Sequence, residues 1–301
     1  MVIKKSYIQY FTSFLIVLIL LGSPLYLLFL NDEFCMKSIV KSVPFDHLDN
    51  QSFSHKDRNL AFFALDQPYT YLSCGSQCYV FKSQDNRFVL KFFKDKKWFL
   101  KSILNKIPFP SFLNKYRHNR IERIQRTLRR SFESSLISFN TFKNETGTIY
   151  LNLGSKTQIE KKVTLKDRLG IKYALDLTEV PYIIQYMAKP IDSYLLEQRI
   201  KGETTKAKEA IELLINFKVA QANKGFSDKD PHPIRNFGFL KNQVIEIDNG
   251  GFYLRDEKPL DFFYLYEIKE FEKKLLLWLQ KYYPELREHT ELHIKRIQQK
   301  K

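Results

Sequence analysis

The hydrophobic pattern of this chain changes character near residue 188. Before that point apolar residues come mostly in short β-type runs; after it they recur at helical spacing. Tyr69–Leu72, Tyr79–Lys82 and Phe88–Phe93 read as three strands, and the turn Ser83-Gln84-Asp85-Asn86 has hairpin chemistry. Thr148–Leu153, Lys162–Lys166, Ile171–Leu177 and Val180–Ala188 read as four more. Only one long helix, from about Lys115 to Phe142, interrupts this strand-rich part. Beyond residue 190, Ala207, Ala210, Ile211, Leu214 and Phe217 fall on one helical face, and Gly225 supplies a stop. Leu260–Leu279 and Pro284–Ile297 follow as two amphipathic helices whose apolar stripes suit a core. The expectation is an α+β architecture in two lobes with a cleft between them.

Several residues with chemistry to offer stand on both sides of that division. Gly75 lies in a tight loop between two strands, with Ser76 beside it, and Lys91 interrupts the apolar run Phe88-Val89-Leu90-Lys91-Phe92-Phe93. Downstream come Asp230 and Asn236 in Asp228-Lys229-Asp230-Pro231-His232-Pro233-Ile234-Arg235-Asn236, then Asp248 at the end of Val244-Ile245-Glu246-Ile247. Phosphoryl transfer needs a cation on the phosphates, an acid beside the attacking group and oxygen ligands for Mg²⁺. This set contains each. A bland alternative exists at every position: an edge-strand lysine, a glycine hairpin, a polar turn rich in Asp, Asn and Pro.

These residues resemble the motifs of the protein-kinase-like superfamily, closest in style to its small, atypical branches. The resemblance covers residues 67–301. The pattern G-x-G-x-x-G-x-V aligns with Ser73, Gly75, Cys78 and Val80, of which only the middle glycine is kept. Phe88-Val89-Leu90-Lys91 takes the place of V-A-I-K, Asp228-Lys229-Asp230 that of H-R-D, and Asp248-Asn249-Gly250 that of D-F-G. The run Asp230-Pro231-His232-Pro233-Ile234-Arg235-Asn236 is similar to the D-x-H-P-x-N loop of aminoglycoside and choline kinases, with Asn236 one position further on.

The resemblance implies a two-lobed protein-kinase-like fold: an antiparallel-sheet N-lobe (67–184), a hinge (185–190) and a helical C-lobe (191–301). It implies ATP and Mg²⁺ as cofactors, with Asp230 and Lys91 as catalytic residues. Gly75, Ser76 and Lys91 would hold phosphates, the backbone at Gln185 and Met187 the adenine, and Asn236 and Asp248 the metal. A helix carboxylate would orient Lys91; Glu133 is the choice and Glu122 the rival, three turns away on nearly the same face. No A-P-E segment follows Gly250.

Residues 11–30 (FTSFLIVLILLGSPLYLLFL) carry no charge and are long enough to cross a bilayer as a helix. Lys4 and Lys5 precede them, and no small-residue cleavage site follows. The expectation is an uncleaved single-pass anchor (1–30) followed by a juxtamembrane segment (31–66); a removed signal peptide is the alternative. Lys4 and Lys5 on one side and Lys37 and Lys41 on the other leave the side of the domain undecided. Three cysteines give no disulfide framework, although Cys74 and Cys78 could pair across the loop tip.

The net charge is +16, and from Lys94 to Arg130 twelve Lys or Arg face only Asp95 and Glu122. Arg117, Arg120, Arg123, Arg126 and Arg129 spiral round the long helix opposite Ile121, Ile124, Leu128, Phe132 and Leu136. Such a band, Arg117–Arg130, suits anionic lipid headgroups as well as plain solvation. No nucleic-acid-binding motif is present. Taken together these features lead to two readings: a membrane-anchored ATP-dependent phosphotransferase acting on the hydroxyl of an unknown acceptor, or a pseudokinase that keeps the fold as a binding or scaffolding domain. Retention of Lys91, Asp230, Asn236 and Asp248 favours the first. The reduced glycine loop, the missing His of H-R-D and the stretched catalytic loop favour the second.

Overall fold

A computed structural model describes residue 13 and residues 34–41, 53–95, 114–154, 159–254 and 260–299, with side chains in the last span from 267 onward. The apolar run expected to form the anchor lies, Ser13 excepted, outside the described residues. Among the described residues no helix is long and apolar enough to cross a membrane. The chain divides into two compact units, Met1–Lys37 and Ser38–Lys301. Of the first, only Ser13 and residues 34–37 are described; the second holds the sheet and the helical core.

The folded unit thus begins well before residue 67, which corrects the expected juxtamembrane segment. Two contacts account for it. Ile39 bridges to Lys94 and the Val40 N–H donates to the Phe93 carbonyl at 3.0 Å, so Ile39 and Val40 are buried. Helix α1 (His55–Ala64) is capped by Ser54, whose hydroxyl accepts the Asp57 N–H, and it buries Ala61 and Ala64.

Strands β1 (Tyr69–Cys74), β2 (Cys78–Ser83) and β3 (Phe88–Phe93) form where the sequence placed them. Asn86 takes a left-handed φ of 54° in the β2–β3 turn, and the Asp85 carboxylate accepts from Ser83 and the Arg87 N–H. Helix α2 (Asn114–Thr141) crosses the sheet with Ile124, Phe132 and Phe139 inward, the Phe132 ring 4.6 Å from Phe93. Burying one such side chain contributes about 1.5–3 kcal/mol. A short turn, α3 (Lys143–Thr146), leads into β4 (Thr148–Asn152), β5 (Lys162–Lys166), β6 (Lys172–Asp176) and β7 (Tyr182–Tyr186).

These strands make one seven-stranded sheet in the order β4-β7-β3-β2-β1-β5-β6. The sheet is mixed, not antiparallel throughout. The β5–β6 hairpin docks on the open edge of β1, and β5 runs parallel to it, pairing Tyr69 with Leu165 and Thr70 with Lys166. A hairpin that reaches the far edge by a long connection is not bound to the up-and-down order of neighbouring strands.

Strand β8 (Lys189–Pro190) carries the chain to the helical part: α4 (Ile191–Ile200) and α5 (Thr204–Asn223). Ala207, Ala210, Ile211 and Leu214 are fully buried, as their spacing requires, and Gly225 adopts the left-handed φ of 83° just past the helix. Short strands β9 (Phe226–Asp228), β10 (Phe237–Leu240), β11 (Gln243–Glu246) and β12 (Phe252–Leu254) frame the cleft. Helices α6 (Leu260–Tyr282) and α7 (Arg287–Gln299) close the core with Phe271, Leu275, Leu279 and Ile294.

Candidate functional site

The register of β3 decides where Lys91 points. Lys91 pairs with Val80 on β2 and Ile183 on β7, and all three line one cavity of about 180 Å³. The β1–β2 turn roofs it with Gly75, Ser76 and Gln77; Ile247, Asp248, Asn249 and Gly250 form its other wall. Lys91 is buried, and its ammonium donates to the Ile247 carbonyl. Burial pulls its pKa below the ordinary lysine value, opposed by the charge of Asp248 and then by Cys78. Desolvation in turn pushes the Cys78 thiol up to about 12, against the pull of Lys91. Lys91 and Asp248, far apart in sequence, thus sense each other directly.

The β10–β11 hairpin brings Asn236 to the same place. The Asn236 carbonyl accepts the N–H of Ile247 at 2.7 Å and of Asp248 at 3.4 Å, which fixes the two metal candidates side by side. The Asn236 amide nitrogen donates to the Asp230 carbonyl at 2.6 Å. Asp230 itself is exposed, 2.9 Å from Arg235 and 3.8 Å from Lys274. Among the described residues no three His, Cys, Asp or Glu side chains converge as a ready-made metal cage. An oxygen pair such as Asp248 and Asn236 still fits Mg²⁺, which binds through one or two protein oxygens together with substrate phosphates.

Other expected residues fall elsewhere. Glu133 does not approach Lys91: it is exposed and lines a separate groove with Arg130, Lys229 and Tyr253. Glu122 is exposed as well. The face of α2 turned to the cleft carries Ser134 and Ser135; Ser134 donates to the Asn249 carbonyl at 2.6 Å and Ser135 lines the cavity. The Met187 N–H donates to the Arg87 carbonyl at 2.9 Å, so it is not turned to an adenine. Gln185 is fully buried, donating to the Thr146 carbonyl and, at 3.2 Å, to that of Glu246, which ties the hinge to β11. Cys74 and Cys78 are free thiols. The Cys74 sulfur instead accepts from Lys94, whose ammonium also reaches the Gly75 carbonyl at 3.3 Å.

Four residues of the site went unread in the sequence. Gln77 spans the cleft, its amide donating to the Gly250 carbonyl at 2.7 Å, and a side chain at Gly250 would collide with it. Asp228 is buried beneath the loop between Asp230 and Asn236 and accepts the Asp230 N–H at 3.0 Å; burial pushes its pKa up, with Lys218 opposing. Gly251 packs so closely on Asp228 that no side chain fits there. Arg235 lines the cavity with Lys91 and Asp248. The Asp-Lys-Asp doublet and the one-residue stretch of the loop were the available signals for Asp228 and Arg235; Gln77 had none.

His232 organises the stretched loop. Its Nδ1 accepts the N–H groups of Ile234 and Arg235, each at 3.3 Å, and the Asn236 N–H closes a turn onto the His232 carbonyl at 3.2 Å. Burial, then the cations Arg235 and Lys274, hold the imidazole pKa below its ordinary value, which keeps Nδ1 free to accept.

No protein-family model and no curated protein matches the chain. Among solved structures it is similar to the LegK7 effector kinase of Legionella pneumophila: 13% identity, TM-score 0.25, covering 38% of this chain and 24% of that one. It is also similar to the bifunctional kinase-methyltransferase WbdD: 12% identity, TM-score 0.32, covering 73% of this chain and 43% of that one. The chain thus spans less than half the length of either protein.

Proposed function

We propose that this chain is a protein-kinase-like, Mg²⁺-dependent phosphotransferase that moves the γ-phosphate of ATP to a hydroxyl of an acceptor not yet identified. The observation that carries this reading is that Lys91 from the sheet, Asp248 after β11 and Arg235 of the loop between Asp230 and Asn236 line one cavity beneath the β1–β2 turn, with the Asn236 carbonyl bonded to the Ile247 and Asp248 N–H groups. Lys91 would neutralise phosphate oxygens, and Gly75 and Ser76 would cover them. Asp248 and Asn236 would hold the metal, which when bound neutralises charge on the phosphates. Asp230 would orient the acceptor hydroxyl and take its proton.

The pseudokinase reading draws on a different observation. A cavity of about 180 Å³ is smaller than the roughly 300–1,000 Å³ of ligand pockets, and the Gln77–Gly250 bond spans it. Calorimetric titration of the full chain with ATP, with and without Mg²⁺, followed by a γ-phosphate transfer assay, separates the two. The phosphotransferase requires Mg²⁺-dependent binding that Asp248→Asn abolishes, and turnover that Asp230→Asn removes while binding survives. Binding without turnover selects the pseudokinase. No binding by the wild type overturns the phosphotransferase and leaves the pseudokinase.

Membrane attachment belongs to the same proposal. The exposed guanidiniums of Arg123, Arg126 and Arg130, each worth about 1 kcal/mol near an anionic surface, would hold α2 against anionic lipid. Removing the anchor and changing these three arginines to Gln should abolish salt-sensitive binding to anionic vesicles. Equal binding to neutral vesicles would leave only a solvated face.

A further inference from the structure

The extra residue between Asp230 and Asn236 has a definite structural result. The loop absorbs it as the turn His232–Asn236, with Ile234 and Asn236 both buried. Arg235, between them, is thereby turned outward and stays 64% exposed, with one guanidinium nitrogen 2.9 Å from the Asp230 carboxylate. It is not an idle surface residue, because it lines the cavity that holds Lys91 and Asp248. Of the described residues lining that cavity, only Lys91 and Arg235 are cations, one from the sheet and one from the catalytic loop. Lys91 is buried and committed to the Ile247 carbonyl. Arg235 stands at the end where Asp230 would meet an acceptor.

A guanidinium has five donors in a planar fork and stays charged at every working pH. One of its nitrogens engages Asp230, and the others remain to bind an anion. Phosphate oxygens match that fork in two parallel bonds. Resting on the phosphotransferase reading, we propose that Arg235 binds the terminal phosphoryl group of the nucleotide and stabilises it during transfer, an arginine supplied in cis by the lengthened loop. In the step it serves, the acceptor oxygen forms a bond to the γ-phosphorus while the bond from that phosphorus to the β–γ bridging oxygen breaks. That electron pair leaves with ADP, and the hydroxyl proton passes to Asp230. Arg235 faces the spread of negative charge over the equatorial oxygens, where a positioned arginine acts most strongly.

The test compares nucleotides that differ only in that group. Full-length wild type, Arg235→Gln and Arg235→Lys are titrated with Mg²⁺–ATP and Mg²⁺–ADP, and turnover is measured alongside melting temperature. Arg235→Gln should weaken ATP about ten- to hundredfold and lower kcat by about a thousandfold, with ADP affinity unchanged within about twofold. Arg235→Lys, which keeps the charge and loses the fork, should recover only part of both. Equal loss of ATP and ADP binding would make Arg235 a merely structural residue. Faster turnover in Arg235→Gln would make the ion pair a clamp on Asp230; either result overturns the assignment. A wild type that binds ATP more tightly than ADP beside an unaltered Arg235→Gln also refutes Arg235 but leaves the phosphotransferase standing. A wild type that binds neither nucleotide refutes the phosphotransferase itself, and the assignment with it.

Discussion

Lys218 and Lys91 are both buried, and their surroundings differ in kind. Lys218, on α5, is 1% exposed and sits in a closed polar network. It donates to Gln221 at 2.6 Å, stands 3.8 Å from Glu267 and feels Asp228, while Gln221 passes a bond to Glu246 at 3.1 Å. Burial, with Asp228 adding to it, pushes the Glu246 carboxyl well above the usual carboxylate range. Lys91 is 8% exposed, yet its partners are one backbone carbonyl and one solvent-exposed carboxylate, Asp248. The first lysine is satisfied by the protein. The second is desolvated and lines a cavity, which is the setting the proposed phosphate contact requires.

Mutation should separate them. Removing one member of a buried ionic network leaves the others uncompensated, so Lys218→Met should destabilise the fold by about 3–5 kcal/mol, a fall in Tm of roughly 10 °C. Lys91→Met removes a charge whose burial is unfavourable and leaves behind one backbone carbonyl, that of Ile247, and an exposed carboxylate. It should keep or slightly raise Tm while abolishing ATP binding in the same calorimetric assay. A large loss of stability in the Lys91 variant would erase the distinction.

Acid offers the next largest effect. The imidazole of His232 has a folded pKa below its unfolded value of about 6.5, so the unfolded chain binds the extra proton first. The stability contributed by the neutral ring is fully present above about pH 6.5 and is lost as pH falls below it. His232→Gln should therefore be most destabilising near pH 8, and the gap in Tm from wild type should narrow toward pH 5. A constant gap would show that the ring does not titrate in this window. Glu272 runs with the opposite sign. Burial raises its carboxyl from 4.5 to about 7, so its charged form weighs against folding as pH rises through that interval. Glu272→Gln should stabilise at pH 8 and do nothing at pH 5.

Smaller effects concern the roof and the far side of α2. Gln77→Ala removes one hydrogen bond of about 1 kcal/mol that spans the cleft, so nucleotide affinity should rise several-fold; a fall would make Gln77 part of the binding surface. Glu133→Gln should leave ATP affinity unchanged, since Glu133 lies in another groove. Loss of binding there would restore the carboxylate to Lys91.

The strands and the long helix were legible because their apolar periods are local. So was Lys91, a lone cation in a β-rich run, and Asp248, at the end of a clear strand. Glu133 misled because a helix turns about 100° per residue, and a shift of one position puts Ser134 and Ser135 on the cleft instead. Small serines leave no hydrophobic trace from which to read that phase. Gln77 was invisible for another reason: a polar residue in an exposed turn carries no sign of a partner 173 positions away. The parallel β1–β5 pair was equally hidden, since no short window of sequence holds both strands.

That pair also sets an order of events. The β1–β2–β3 meander can assemble as soon as Phe93 has left the ribosome, yet the outer edge of β1 stays open until Leu165 and Lys166 arrive to cover it. An unpaired strand edge is a template for the wrong partner, and closing so long a loop is slow. The interval in which β1 waits for β5 is therefore when this chain is most exposed to mispairing, and substitutions that weaken the β5–β6 hairpin should reduce the yield of folded protein more than its stability once folded.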